Sequence, residues 1–572
     1  MASGLAHLRS NPGFARLKEI FGETSDLADA TLEMIADAAA KFGQGCLSPI
    51  NAAADKGCVF ENGKVRTPPG FGSAWAAMVA EGWATIDFPS DLGGSGLPLC
   101  VQTLCQEQFD RGCVAFGMLL TPQRGGFALL SEHATSPVQE EWLPRMAAGE
   151  WTTTICVSEP DAGSDVGRIR TIAEPAGDGL WKITGEKCWI SFGAHDLTQR
   201  IGHCVLARTP GAPAGGRGLS LFLAPDWMQD PQGAPADNGV VVRRIEEKLG
   251  LHGSPTCSIG FEGARGWLIG QQGRGLAQMF TMIGIMRQSV GVQGLGVAAA
   301  ASDLAWRYAQ ERRQGGAPEA PPTPITAHAD VQLMLMDLAA RVEMLRGVVL
   351  ALAVQMDLSA SEPEPEARAR AGALAQWLMP IAKTYGAETA AWASSMAIQV
   401  LGGAGYTREW PAEQLFRDSR VFSIYEGTSG IQGLDLLHRR LWRDKGAGLK
   451  AFVEAFEDAL ARVPPEHMDA TSEARRVLQR LTTTAGQLSA LEHRAFEAEA
   501  GASAFLELAS LAATAYVALM LLFAPSDAHM VGLSQYWLSR LDASAAKAAR
   551  LACADASLLS RAFSEAMVNV NG

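Results

Sequence analysis

The hydrophobic period of this chain changes twice, and those two changes limit the folds open to it. Up to about residue 150, apolar residues recur at helical spacing. They do so over 27–42, where Thr24-Ser25-Asp26 reads as a helix start, through the Ala- and Trp-rich stretch 73–83, and over 101–109 and 138–146. At Trp151 short β-rich runs take over, at 151–157, 180–190, 204–208, 219–223, 240–245 and 258–261, with a Pro/Gly hairpin loop at 210–218. At Gly275 long helical patterns return, over 276–310, 330–356, 367–400 and 431–443, and the Ala/Leu/Glu-rich remainder is helical too. Residues 359–366, acidic and broken by prolines, read as a solvated loop. At 572 residues the chain is too long for one core. It reads as an α+β multidomain protein. An N-terminal helical domain (1–150) precedes a middle β-barrel or sandwich domain (151–274), a C-terminal four-helix bundle (275–445) and an extra helical domain (446–572).

Composition excludes several function classes. A net charge of -13 argues against a nucleic-acid partner. Ten cysteines without a C-x-x-C pair or a histidine cluster argue against a zinc site or a disulfide framework, and point to a reducing, cytoplasmic setting. The first ten residues lack the apolar core of a signal peptide. The run 508–525 is long enough to raise the question of a membrane span. Its six alanines and the lack of close basic flanks make it a buried bundle helix instead, with Phe505, Leu508, Leu511, Tyr516 and Leu519 expected inside.

The stretch 417–432 carries the clearest candidate chemistry. Apolar residues lead into Glu426, Gly427 and Thr428 follow, and a helical pattern resumes at Ile431. Thr428 reads as the N-cap, and such a helix start offers N–H groups to an anion. A carboxylate at its mouth, beside apolar side chains, is a candidate base; a solvated Glu favoured by the helix dipole has the same pattern. Four further motifs accompany it. The loop 156–165 (Val157, Ser158, Gly163, Ser164) gathers hydroxyls, small residues and backbone N–H groups, as binding a flat ring by its edge and a diphosphate requires. In Lys187-Cys188-Trp189-Ile190-Ser191 an indole precedes a hydroxyl by two residues. Arg312 and Gln314 lie at a helix end, where a guanidinium can meet phosphate. Gln399, Gly402 and Gly403 lie at a glycine-rich helix break. Each motif alone also has an ordinary reading, as a loop, a core strand, a cation-stabilised helix end or a plain break. Gly294-Leu295-Gly296 lies inside a helical pattern and follows no strand, so it is not a dinucleotide fingerprint.

In their order and spacing these stretches resemble the acyl-CoA dehydrogenase family. The likeness runs from about residue 60 to 443, through CVSEPDAGSD, KCWIS, EEKLGLHGSPT, ERRQGG, QVLGGAGYTREWP and RDSRVFSIYEGTSGIQ. The chain length, TPPGF and AHDLTQRIGHCVLAR are most similar to the family's extended branch, which has an extra C-terminal helical domain.

The resemblance implies an FAD enzyme. Val157, Ser158, Gly163, Ser164, Trp189, Ile190 and Ser191 would hold the flavin, with Ser191 near N5. Arg312 and Gln314 would reach the FAD diphosphate of the partner in a homodimer. Gln399, Gly402 and Gly403 would line the adenosine half, and Thr428 would touch the FAD. Glu426 matches the catalytic base, supported by Arg287. Some members carry the base just before that arginine, and here the position is Met286. Arg168, Gln314 and Gln414 depart from the family pattern. The implied reaction converts a short or medium acyl-CoA, 3-methylthiopropanoyl-CoA among them, to the trans-2-enoyl-CoA. The thioester carbonyl is polarised by the Glu426 N–H and a flavin hydroxyl, Glu426 takes the α-proton, and flavin N5 takes the β-hydride. An electron-transfer flavoprotein would be the acceptor. An oxidase or an eliminating enzyme on the same fold is the alternative, and an intact Glu426 argues against a non-enzymatic scaffold.

Overall fold

The computed structural model describes residues 2–22, 27–523 and 528–570. The helix start at Thr24-Ser25-Asp26 and the end of the apolar run at Ala524-Pro525 lie outside them. The chain forms two compact units, one of Met1–Asp37, Leu99–Leu104 and Val290–Gly572, the other of Ala38–Pro98 and Cys105–Ser289.

The second unit holds the strands. A hairpin of β1 (Val59–Glu61) and β2 (Lys64–Arg66) interrupts the stretch read as wholly helical. Its turn is Asn62-Gly63, both at positive φ (52° and 75°), the tight turn that Asn-Gly favours. Then follow β3 (Trp151–Cys156), β4 (Ile172–Gly177), β5 (Leu180–Ser191), β6 (Arg200–Arg208), β7 (Leu219–Pro225), the short pair β8 (Trp227–Gln229) and β9 (Pro235–Asp237), β10 (Val240–Ile245) and β11 (Thr256–Ile269). The pairings β11–β5–β4–β6–β7–β11 close a ring, joined at β4–β6 by the single partnership Ile172↔Arg208. β3 runs parallel along β6, and β10 flanks β11. The β6–β7 connection is the Pro/Gly loop anticipated at 210–218. β4 was not anticipated, because Pro175 breaks its pattern and most of its side chains are exposed.

β6 and β7 are buried on both faces, and alternate residues serve two cores. Cys204, Leu206, Leu221 and Leu223 join Phe127, Leu129, Trp142 and Met146 from the helices. Val205, Ala207, Phe222 and Ala224 join Ile183, Ile190, Ile259 and Phe261.

The first unit is helical. The helix Gly275–Glu311 contributes its residues from Val290 onward, beside Ala329–Ser361 and Pro365–Leu401. Two of these helices meet backbone to backbone. A Cβ on Gly294 would lie 2.3 Å from the Gly386 carbonyl oxygen, and one on Gly386 would lie 2.8 Å from that of Gly291. The Gly294-Leu295-Gly296 motif therefore includes a packing glycine. The acidic loop expected over 359–366 shrinks to 362–364, because helix extends to Ser361 and resumes at Pro365. Nor is it simply solvated. Glu362 is buried and accepts two bonds from Arg16, each 2.9 Å, and Glu364 caps the next helix through the Glu366 and Ala367 N–H groups. The segment expected as one helix over 431–443 is Ser429–Leu434 followed by a π-helical stretch, Asp435–Arg443.

The extra domain adds Ala447–Arg462, Met468–Ser489, Ala502–Phe523 and Ala528–Ala552. Ala502–Phe523 is long and apolar enough to span a bilayer, yet 89% of its most apolar window is buried in the protein. Phe505, Leu508, Tyr516 and Leu519 are interior. Leu511 is only half-buried, a correction to the expected set, because its helix face is not fully covered. Phe505 packs edge-on against Trp377 of the bundle, with centroids 6.2 Å apart. Phe505→Ala should therefore lower stability by about 3–5 kcal/mol in chemical denaturation. A loss under about 1 kcal/mol would mean that this helix contributes little through that contact.

Candidate active site

In the β-containing unit, the loop 157–164 leaves β3 and is pinned to β5. Glu159 and Ala162 exchange backbone bonds of 3.1 and 3.0 Å, and the Cys188 N–H donates to the Ser158 carbonyl at 3.0 Å. Lys187 of β5 is wholly buried. Its ammonium donates to the Val157 carbonyl at 3.0 Å and to Glu159 Oε1 at 2.8 Å. Glu159 also accepts from Arg170 N (2.7 Å), Thr171 N (3.0 Å) and Thr171 Oγ1 (2.6 Å). Burial pushes the Glu159 carboxyl upward, but Lys187 and these bonds outweigh it and hold the group below the usual carboxylate range. Burial lowers the Lys187 ammonium against the pull of Glu159. The loop's far end, Gly163 and Ser164, is exposed, and a Cβ on Gly163 would meet nothing within 4 Å.

Trp189 departs from a core strand residue. Its neighbours Cys188 and Ile190 turn inward, while Trp189 adopts φ 64° and leaves its side chain 63% exposed. Ser191 ends the strand opposite Thr256. Arg168 faces solvent beside Asp165, at 2.7 Å. Arg287 is half-buried on the helix Gly275–Glu311, and Met286 before it packs into the core with Met279 and Met282.

In the helical unit, Glu426 occupies a turn between the 3-10 stretch Arg420–Ser423 and the helix Ser429–Leu434. Glu426 and Gly427 both have positive φ, 54° and 89°. Thr428 is the N-cap, its Oγ1 accepting from Ile431 N at 3.2 Å. The turn's carbonyls are tied from within. Lys383, wholly buried on Pro365–Leu401, donates to Phe422 O (2.8 Å) and Gly427 O (2.7 Å). Gln432 Nε2 donates to Glu426 O at 3.1 Å, the Tyr425 hydroxyl donates to Gln293 Oε1, and Ser429 Oγ donates to Glu388 at 2.7 Å.

The glycine break lies at the end of the helix that carries Lys383. Gln399, Gly402 and Gly403 are exposed, and a Cβ on either glycine would meet nothing within 4 Å. Gly405 differs, its Cβ position lying 2.7 Å from the Ile398 carbonyl oxygen, so it serves packing. A small core of Leu304, Tyr308, Ile398, Leu401, Trp410 and Ala412 joins this break to the end of Gly275–Glu311. There Arg312 and Gln314 are exposed, with a guanidinium-to-amide contact of 3.3 Å. Among the described residues no carboxylate pairs with Arg312. Gln414 is buried, its amide 3.4 Å from Asp418. Glu426 and Thr428 are thus neighbours, but Lys383 beneath them is about 24 Å along the helix from Gln399. Sequence reading assigned no role to Lys383, Gln432 or the Glu159–Lys187 pair.

Each of these surfaces, taken within its own unit, has chemistry that one part of a flavin dinucleotide uses. An exposed indole on a pinned strand end suits a flat ring. Two uncrowded glycines and a guanidinium without a carboxylate partner suit a diphosphate and nucleoside.

Lys187→Met strands a buried carboxylate, so it should destabilise by about 3–5 kcal/mol. Adding Glu159→Gln should recover part of that loss. Urea denaturation measures both, and additive effects would show that the pair is not coupled.

Family models match the chain in order: acyl-CoA dehydrogenase N-terminal domain over 29–150, middle domain over 154–264 and C-terminal domain over 273–441. The 3-methylmercaptopropionyl-CoA dehydrogenase of Ruegeria pomeroyi is 34% identical over 501 residues, covering 86% of this chain and 83% of that protein. The broad-specificity linear acyl-CoA dehydrogenase FadE5 of Mycobacterium tuberculosis is 34% identical over 446 residues, 75% of this chain and 72% of that one. An acyl-CoA dehydrogenase of Bacillus anthracis, solved in complex with FAD, shares the fold at a TM-score of 0.76 and 20% identity, covering 94% of this chain and 91% of that one. With three family domains in sequence and such relatives across most of its length, the chain belongs to the acyl-CoA dehydrogenase family of FAD-dependent oxidoreductases.

Proposed function

We propose that the chain converts an acyl-CoA thioester to its trans-2-enoyl-CoA, with Glu426 as the base that removes the α-proton. The observation that carries this is the turn at Glu426. A carboxylate on a left-handed backbone, at a capped helix start, is tied down from within by Lys383 and Gln432. Such a group keeps its position while a proton moves. The Glu426 N–H serves the thioester carbonyl, which acidifies the α-carbon. Bound FAD supplies the acceptor for the β-hydride. Val157, Ser158, Gly163, Ser164, Trp189, Ile190 and Ser191 would hold its ring, and Gln399, Gly402 and Gly403 would line the adenosine half, while Arg312 and Gln314 would reach the diphosphate of the FAD bound by the partner in a homodimer. Thr428 contacts it, and Arg287 supports the site. A short, thioether-bearing acyl group is the preferred substrate, a choice supported by the activity named for the Ruegeria relative. An electron-transfer flavoprotein accepts the electrons. Ten free thiols support a cytoplasmic setting.

Glu426→Gln keeps the shape and the backbone N–H, so the variant should hold FAD and bind acyl-CoA. Flavin bleaching in anaerobic stopped flow should slow by a factor of about 100 to 10,000. Bleaching within about tenfold of the parent would remove Glu426 from this role. In air, peroxide release at the turnover rate would make the protein an oxidase instead.

We also propose a homodimer. The helix Ala502–Phe523 buries most of its apolar surface within the chain, which leaves little of it for a second dimer to cover. Sedimentation at micromolar concentration should give a dimer, and a stable tetramer would contradict it.

A further inference from the structure

Lys383 is one of two lysines among the largest fully buried side chains of the described residues. A buried ammonium is tolerated only where acceptors replace its water. Two acceptors used by Lys383 are the carbonyls of Phe422 and Gly427, which bracket Glu426 in the chain. We propose that Lys383 is a positioning residue for Glu426, setting where the carboxylate stands without touching substrate. The proposal rests on Glu426 being the base.

The geometry supports a positional role in three ways. First, the two bonds form a chord across the turn 422–427, so displacement of the Glu426 backbone must stretch one of them. Second, the backbone inside that chord is strained. Glu426 is a non-glycine residue at φ 54°, followed by Gly427 at φ 89°. Such conformations persist only where the surroundings over-determine them. Gln432, donating to the Glu426 and Gly427 carbonyls at 3.1 and 3.4 Å, closes the same turn from the helix that follows it. Third, Lys383 stands on a firm base. It lies three residues from Gly386, where two long helices meet backbone to backbone at Gly291 and Gly294. The ammonium therefore relays the position of a packed helix pair to the turn. A misplacement of about 1 Å at a reacting group can cost about 100-fold in rate.

A lysine kept only for packing behaves differently. Lys383→Met keeps the length and packing of the side chain and removes its bonds to the Phe422 and Gly427 carbonyls. Lys383→Met separates the roles, and Lys383→Gln, which can keep one bond, serves if the first variant folds poorly. Each is made in the parent and in Glu426→Gln, and studied with FAD bound. The expected result is that Lys383→Met retains FAD and acyl-CoA affinity while flavin bleaching slows by about 100-fold. In the Glu426→Gln background it should add little further loss, because both changes disable one function. Hydrogen exchange should quicken in a peptide covering 421–432 and not elsewhere. Lys383→Met bleaching at the parent rate while Glu426→Gln is inactive would overturn the proposal and leave the Glu426 reading intact. An equal fractional loss in both backgrounds would overturn it too. Rapid bleaching by Glu426→Gln would remove the base assignment and this proposal with it.

Discussion

A lysine ammonium taken wholly out of water must find fixed acceptors, and among the described residues two such ammoniums each fasten an irregular segment. Lys187 draws in the Val157 carbonyl and the Glu159 carboxylate, fixing the loop that leaves β3. Lys383 draws in the Phe422 and Gly427 carbonyls, fixing the turn that carries Glu426. In both places the lysine adds to other bonds, from Cys188 N–H and Thr171 on the loop and from Gln432 on the turn. The charge stays on a regular element, a strand for Lys187 and a helix for Lys383, and the loop is shaped around it.

Both clamps use backbone carbonyls, and Lys187 also uses a side-chain carboxylate. Lys187 faces a carboxylate, so removing either partner leaves an uncompensated buried charge. Lys383 is held in part by backbone carbonyls, which are dipoles rather than charges. That arrangement fixes the backbone of the turn on both sides of Glu426 through its carbonyls. Packing reinforces it. The glycines at 291, 294 and 386 bring two helices close enough that the base of Lys383 has little freedom.

Much of this was legible in the sequence because period and punctuation act locally. The long helices, most strands, the Thr428 cap and the Pro/Gly hairpin follow from spacing and turn residues. The resemblance to the acyl-CoA dehydrogenase family, which the family models bear out, rested on glycine and hydroxyl motifs that survive reading one residue at a time. What stayed hidden depends on contacts between distant residues. Lys383 in a helical pattern reads as a solvated side chain, and only the fold places Phe422 above it. Glu362 looked solvated because its partner Arg16 lies 346 residues away. Leu511 looked buried because its neighbours are apolar, although its own face is only half covered. The Asn62-Gly63 hairpin did carry a turn signal, but its strands of three residues are too short to show a period.

The claim at the centre is that Glu426 removes an α-proton, and exchange at that carbon tests it without any hydride transfer. A thioester with sulfur in place of the β-carbon has no β-hydride to lose, yet its α-protons remain acidic. Incubated with the FAD-bound protein in deuterium oxide and followed by proton NMR, it should take up deuterium at the α-carbon. Glu426→Gln, with the flavin still bound, should exchange at about one hundredth of the parent rate or less. Equal exchange in the two proteins would contradict the assignment, since another group would then be carrying the proton.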